Sequence, residues 1–126
     1  MDEVRTLTSA DGVALGAMHR PFSGPDPLAL ALVVVHGFTN HWRTPKVRRV
    51  VDRLSAFGGV IAVDMRGHGS SEGETTVGDE EVMDVTAAVR WARDLGYRSV
   101  VPVGFSMGGS VVLRQAAVED EPVDAV

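Results

Sequence analysis

Gly104-Phe105-Ser106-Met107-Gly108 sets a serine between two glycines in a G-x-S-x-G pattern. A short apolar run precedes it and helical periodicity follows it. A serine in that context sits on a tight strand-to-helix turn, the nucleophile-elbow arrangement, which lifts the hydroxyl above the sheet edge and aims it outward. Side chains two residues either side of the serine would collide in such a turn, and glycines stand at 104 and 108. A helix that opens at Met107 brings partial positive charge close to the hydroxyl. The chemistry open to a serine so placed is nucleophilic attack that forms a covalent acyl-enzyme. Glycine and serine are common, so a glycine-rich connection with an incidental serine is the competing reading.

Two further clusters carry polar chemistry. His36-Gly37-Phe38 follows the apolar run Leu28 to Val35 directly. Gly37 lets the backbone approach another segment closely, and His36 reads as a structural histidine bracing this loop. Asp64-Met65-Arg66-Gly67-His68-Gly69-Ser70-Ser71 alternates glycines with polar residues. Other motifs fail. Ser106 occupies the second glycine position that G-x-G-x-x-G would need, and no Walker lysine follows a glycine loop. His36 and His41 lie in a loop without H-E-x-x-H or a carboxylate at ligand spacing, so neither a metal site nor a cofactor is expected. Trp42 and Trp91 read as packing or pocket-rim residues.

The elements that must position these residues follow from periodicity. Val4 to Thr8 alternates as a half-buried strand, Ala10-Asp11-Gly12 is a turn, and Val13 to His19 is the second arm of a hairpin. Pro21 to Pro27 is a loop. Leu28 to Val35 suits a strand buried on both faces, as in a parallel sheet. Pro45 fits a first helical position, and Val47, Val50, Val51, Leu54 and Phe57 then fall at helical spacing. Gly58-Gly59 stops that helix, and Val60 to Val63 is a strand. Asp64 to Gly78 is loop. A second helix is expected from Asp79, with Glu80 and Glu81 in its first turn. Ser99 to Val103 is a strand, Met107 to Val118 a helix, and Val123 to Val126 the start of another strand. Pro102 conflicts with a central strand unless its nitrogen faces an unpaired side or the strand starts late. The sum is an α/β chain: a β-hairpin, then strands alternating with helices, which implies a mostly parallel sheet with right-handed crossovers and helices on both faces.

The chain has 126 residues, which fits one domain. Its hydrophobic fraction of 44% and charged fraction of 23% suit a globular chain rather than a disordered one. A net charge of -5 gives no phosphate-binding footprint, so nucleic acid is not an expected partner. There are no cysteines, which excludes disulfides and a thiolate nucleophile. The N-terminus lacks a signal-peptide layout and the longest apolar run is too short to span a bilayer. A cytoplasmic location is the expectation.

Taken in order, the run ending Val33-Val34-Val35-His36-Gly37-Phe38, the Asp64 to Ser71 stretch, and Gly104-Phe105-Ser106-Met107-Gly108-Gly109 resemble the α/β-hydrolase superfamily. The flavour is similar to its esterase, monoacylglycerol-lipase and serine-aminopeptidase-like branches. The resemblance covers nearly the whole chain and implies the N-terminal portion of the α/β-hydrolase fold. It implies an oxyanion hole built from the backbone N–H groups of Phe38 and Met107. Asp64, Arg66 and His68 are then mainly structural. Family members that displace halide or open epoxides carry a carboxylate at the elbow, so Ser106 points to hydrolysis of carboxylic esters or related acyl bonds. In this fold the catalytic acid and then the histidine follow the serine. Neither can be carried onto a residue here, and His41 is a poor substitute base. The expectation is therefore one truncated domain over residues 1–126, ending at the start of the sixth strand, inactive alone and open to a complementing C-terminal half. The alternative is a non-catalytic binding or assembly module.

Overall fold

The computed structural model describes residues 2–126. Eight elements follow one another: β1 (Glu3–Thr8), β2 (Ala14–Arg20), β3 (Leu30–Val35), α1 (Pro45–Leu54), β4 (Gly59–Val63), α2 (Val82–Asp94), β5 (Ser99–Gly104) and α3 (Met107–Val118). The strands form one sheet in the order β1-β2-β4-β3-β5. β1 and β2 pair as an antiparallel hairpin, and β2 runs antiparallel to β4. β4, β3 and β5 are mutually parallel. This is the α/β-hydrolase arrangement expected from the sequence.

The hairpin closes because Gly12 takes φ +86° and Ser9 Oγ accepts the Val13 N–H at 2.9 Å. Alternate residues of the parallel strands face opposite layers. Ala31, Val33, Val35, Ile61 and Val63 pack with Val85, Val89, Val111 and Val112 of α2 and α3. Val34, Val60, Ala62 and Met18 pack with Val47 and Val51 of α1 and with Trp42. β3 is thus covered on both faces, which is why its sequence is an unbroken apolar run. Each fully buried valine or isoleucine of these strands contributes about 1.5–3 kcal/mol over its exposed state.

α1 starts where expected. Thr44 Oγ1 accepts the Val47 N–H and Pro45 stands inside the cap. Four details differ from the sequence expectation. β3 begins at Leu30, because Leu28 and Ala29 lie in a turn closed by the Ala29 N–H on Asp26 O. α1 ends at Leu54, and Phe57 sits in the following turn, 69% exposed, off the apolar face. α2 begins at Val82, so Glu80 and Glu81 precede it. Glu81 is buried and its carboxylate accepts from Thr75 Oγ1, Thr76 Oγ1 and the Thr76 N–H. Burial works against its charge, yet the bonds from Thr76 and Thr75 outweigh it and hold the carboxyl below its ordinary range. Finally, residues 123–126 form no strand. Asp124 alone meets β5: its N–H donates to Val100 O at 3.0 Å and its carboxylate accepts the Val100 N–H at 2.7 Å.

Pro102 is resolved by the same alternation. The N–H groups of Ser99 and Phe105 donate to Ala29 O and Val35 O, so odd-numbered residues face β3. Even-numbered ones, Pro102 among them, face the open side of β5, where a missing donor breaks no ladder bond. Among the described residues no helix is long and apolar enough to cross a membrane.

Candidate active site

The C-terminal ends of β3 and β5 carry the site. Ser106 lies between β5 and α3 with φ +55° and ψ -117°, a region that L-residues rarely occupy. Holding a non-glycine residue there costs on the order of 1–3 kcal/mol. The turn is held by steric fit. A Cβ on Gly104 would stand 2.3 Å from Gly108 O, and one on Gly108 would stand 2.2 Å from Val35 O. Ser106 is the N-cap of α3, but its side chain makes no capping bond. The hydroxyl is exposed, and among the described residues no side chain bonds to it. Met107 supplies the first N–H of α3, an amide with no intrahelical acceptor.

The loop after β3 leans on this elbow. Phe105 N–H donates to Val35 O at 3.1 Å, and a Cβ on Gly37 would stand 3.9 Å from Ser106 Oγ. Gly37 therefore brings the segment 36–38 against the serine, as its type suggested. Phe38 follows, 52% exposed, with its ring set edge-on to His68, 5.5 Å between centroids. Gly104, Gly108, Gly37, His36, Phe38, Met107 and Ser106 thus converge at one end of the sheet.

His36 is buried, and its Nε2 accepts the Met65 N–H at 3.0 Å. Its Nδ1 lies 2.7 Å from Gly37 O. Burial pushes its pKa below the ordinary histidine value, with the neighbouring His68 acting in the same direction. His68 Nε2 accepts the Thr39 N–H at 3.1 Å and its Nδ1 lies 3.0 Å from Arg66 O. The Asp64 carboxylate accepts the Trp42 N–H at 2.7 Å and the Ser70 N–H at 3.0 Å. Arg66, also buried, reaches Asp84 of α2 at 2.8 Å and Asp11 of the hairpin turn at 2.7 Å. These three polar residues hold loops together. His41 packs against the glycine loop, where a Cβ on Gly69 would stand 2.7 Å from His41 Cβ. Among the described residues it makes no hydrogen bond to Ser106.

A cavity of about 310 Å³ opens beside Ser106, lined by Val34, Val47, Val50, Phe105, Asn40 and Lys46. Its wall is mostly apolar with a few polar groups, as ligand sites are. Periodicity places Val47 and Val50 on the apolar face of α1, but nothing in it marks that face as a cavity wall. Thr39, at φ +67°, is also silent in the sequence, because a β-branched residue gives no local signal for that conformation.

The α/β-hydrolase family profile matches residues 32–126. An esterase from Pyrococcus furiosus superposes with a TM-score of 0.86 at 30% identity, covering 97% of this chain and 49% of the esterase. The esterase Est1E from Butyrivibrio proteoclasticus, solved with ferulic acid, gives 0.80 at 25% identity, covering 94% and 49% of the two chains. A serine hydrolase without a lid from Xanthomonas campestris shares the fold at a TM-score of 0.80 and 24% identity, covering 95% and 57%. The chain spans about half the length of these structures.

Proposed function

This chain belongs to the α/β-hydrolase family, and from that premise we propose that it carries the nucleophile and oxyanion hole of a serine hydrolase acting on carboxylic esters. Ser106 Oγ attacks the ester carbonyl carbon and its proton passes to a base. The carbonyl oxygen becomes an oxyanion that accepts from the Phe38 and Met107 N–H groups. Collapse of the intermediate expels the alcohol, protonated by the conjugate acid of that base, and leaves an acyl group on Ser106. Water attacks the acyl carbon, the proton returns to Ser106, and a carboxylic acid departs. The cavity lined by Val34, Val47 and Val50 takes the apolar acyl chain.

The observation that carries this reading is the strained, uncommitted serine at 106, with Gly37 packed against it. The base is the missing part. Among the described residues no histidine bonds to Ser106. We assign the acid and the base to a complementing C-terminal half, so this chain alone turns over esters poorly. The second reading is a binding or assembly module with no chemistry of its own.

Free imidazole can stand in for the base. A fluorophosphonate probe should label the 126-residue chain slowly, faster with added imidazole, and not at all in Ser106→Ala. Labelling that survives Ser106→Ala, or none even with imidazole, would overturn the hydrolase reading and leave the binding module.

A further inference from the structure

We propose that His68 is a positioning residue for the oxyanion loop, working with His36 so that each histidine fixes one of the two peptide planes that meet at Phe38. The role rests on the reading of the Phe38 N–H as an oxyanion donor. The peptide between Gly37 and Phe38 is planar and trans, so its C=O and N–H point in opposite directions. Holding Gly37 O therefore aims the Phe38 N–H. Two donors hold that oxygen: His36 Nδ1 at 2.7 Å and the Asn40 N–H at 3.2 Å. The next peptide, between Phe38 and Thr39, is held by His68 Nε2, which accepts the Thr39 N–H at 3.1 Å. That bond keeps Thr39 at its left-handed φ of +67°.

The tautomers are fixed by the partners. A backbone N–H only donates, so Nε2 of both rings must be the acceptor, toward Met65 and Thr39 respectively. In a neutral ring the proton then sits on Nδ1, where it donates to Gly37 O in His36 and to Arg66 O in His68. The arrangement is reciprocal. The loop after β3 lends a histidine to an amide of the loop after β4, and receives one in return. The two rings lie 4.9 Å apart.

Protonation of either ring puts N–H against N–H and breaks its bond, and two imidazolium ions at that spacing repel. Other charged groups face the pair. Asp64 is bonded to Trp42 and Ser70, His41 lies on the same loop, and Arg66 turns its guanidinium to Asp84 and Asp11. The elbow presents Phe105, Ser106 and Gly108, none of which titrates in this range. Burial lowers the His36 pKa, so the folded state favours the neutral ring. Its contribution is complete above the ordinary histidine value of about 6.5 and is lost as pH falls through the lowered one. The His36 bonds to Met65 and Gly37 thus hold at neutral pH and are lost only as pH falls through that lowered value.

Nitrogen-15 NMR of the 126-residue chain tests this without any substrate. Both rings should show the Nδ1-protonated tautomer at neutral pH. On acidification the Thr39 and Met65 amide resonances should shift in step with the His68 and His36 ring signals. In His68→Gln the new Oε1 accepts the Thr39 N–H without titrating, so the Thr39 amide should lose its response to pH. An Nε2-protonated ring, amides that do not follow the rings, or an unchanged Thr39 response in His68→Gln would overturn the proposal. The wild-type measurements decide even where His68→Gln fails to fold. A sound clasp on a chain whose Ser106 never labels would defeat the hydrolase reading alone.

Discussion

Gly108 and Gly109 are neighbours with opposite demands. A Cβ on Gly108 would meet Val35 O at 2.2 Å and His36 O at 2.6 Å, both backbone atoms that cannot swing aside. On Gly109 the nearest atom would be Gly104 O at 3.6 Å, ordinary contact, inside α3. Gly108→Ala should therefore cost about 1–3 kcal/mol by forcing the elbow away from β3. Gly109→Ala should gain roughly 0.5–1 kcal/mol from helix propensity and a less free unfolded chain. Urea unfolding of the two variants checks both signs, and equal effects would show that the elbow is not sterically set. The spacing of Gly104 and Gly108 about Ser106 was legible in the sequence because this constraint is local: a crowded bend writes itself as glycine. Thr39, at φ +67°, was not legible, because the histidine that accepts its N–H lies 29 residues away.

Between elements, Arg66 is the tie that joins the hairpin turn, the glycine loop and α2. Its side chain is 2% exposed, and its partner Asp84 is completely buried. Arg66→Ala would strand the Asp84 carboxylate without a counter-charge, and loss of one member of a buried pair costs about 3–5 kcal/mol. Asp11 gives the pH signature. The bonds from Arg66 and Ser9 lower its pKa to about 2 from 3.8. Its stabilising share is therefore complete above the ordinary carboxylate range and is lost as pH falls through about 2. In Arg66→Ala the acid loss should begin at higher pH, as Asp11 returns toward its ordinary value. Denaturant midpoints followed into acid measure both effects; a variant with the wild-type acid limb would refute the coupling. The sequence marked Arg66 as structural, but nothing in its neighbours named Asp11 or Asp84 as partners. Glu81 fell outside α2 for a related reason: Thr75 and Thr76 claim its carboxylate, a demand that helical periodicity does not register.

At the scale of the molecule, the alternation of strands and helices was readable, since every parallel strand is bounded by turn residues and every helix carries an apolar stripe. The order β1-β2-β4-β3-β5 was not spelled out by any local pattern, because crossovers depend on which faces find each other. One edge of this sheet is β5, and it is blunted. Pro102 withholds a donor there, and Asp124 occupies both backbone groups of Val100. Pro102→Val should leave the thermal midpoint close to wild type, since that nitrogen makes no bond to β3, while raising self-association seen by light scattering. Unchanged scattering would mean that the proline guards nothing. With Val100 occupied and Pro102 without a donor, Gly104 keeps the remaining outward-facing amide of β5. A foreign chain that tries to extend the sheet must take hold there, two residues from the serine. Fouling of this edge and shielding of Ser106 are then a single event, and a preparation that begins to clump would lose probe reactivity at the same moment.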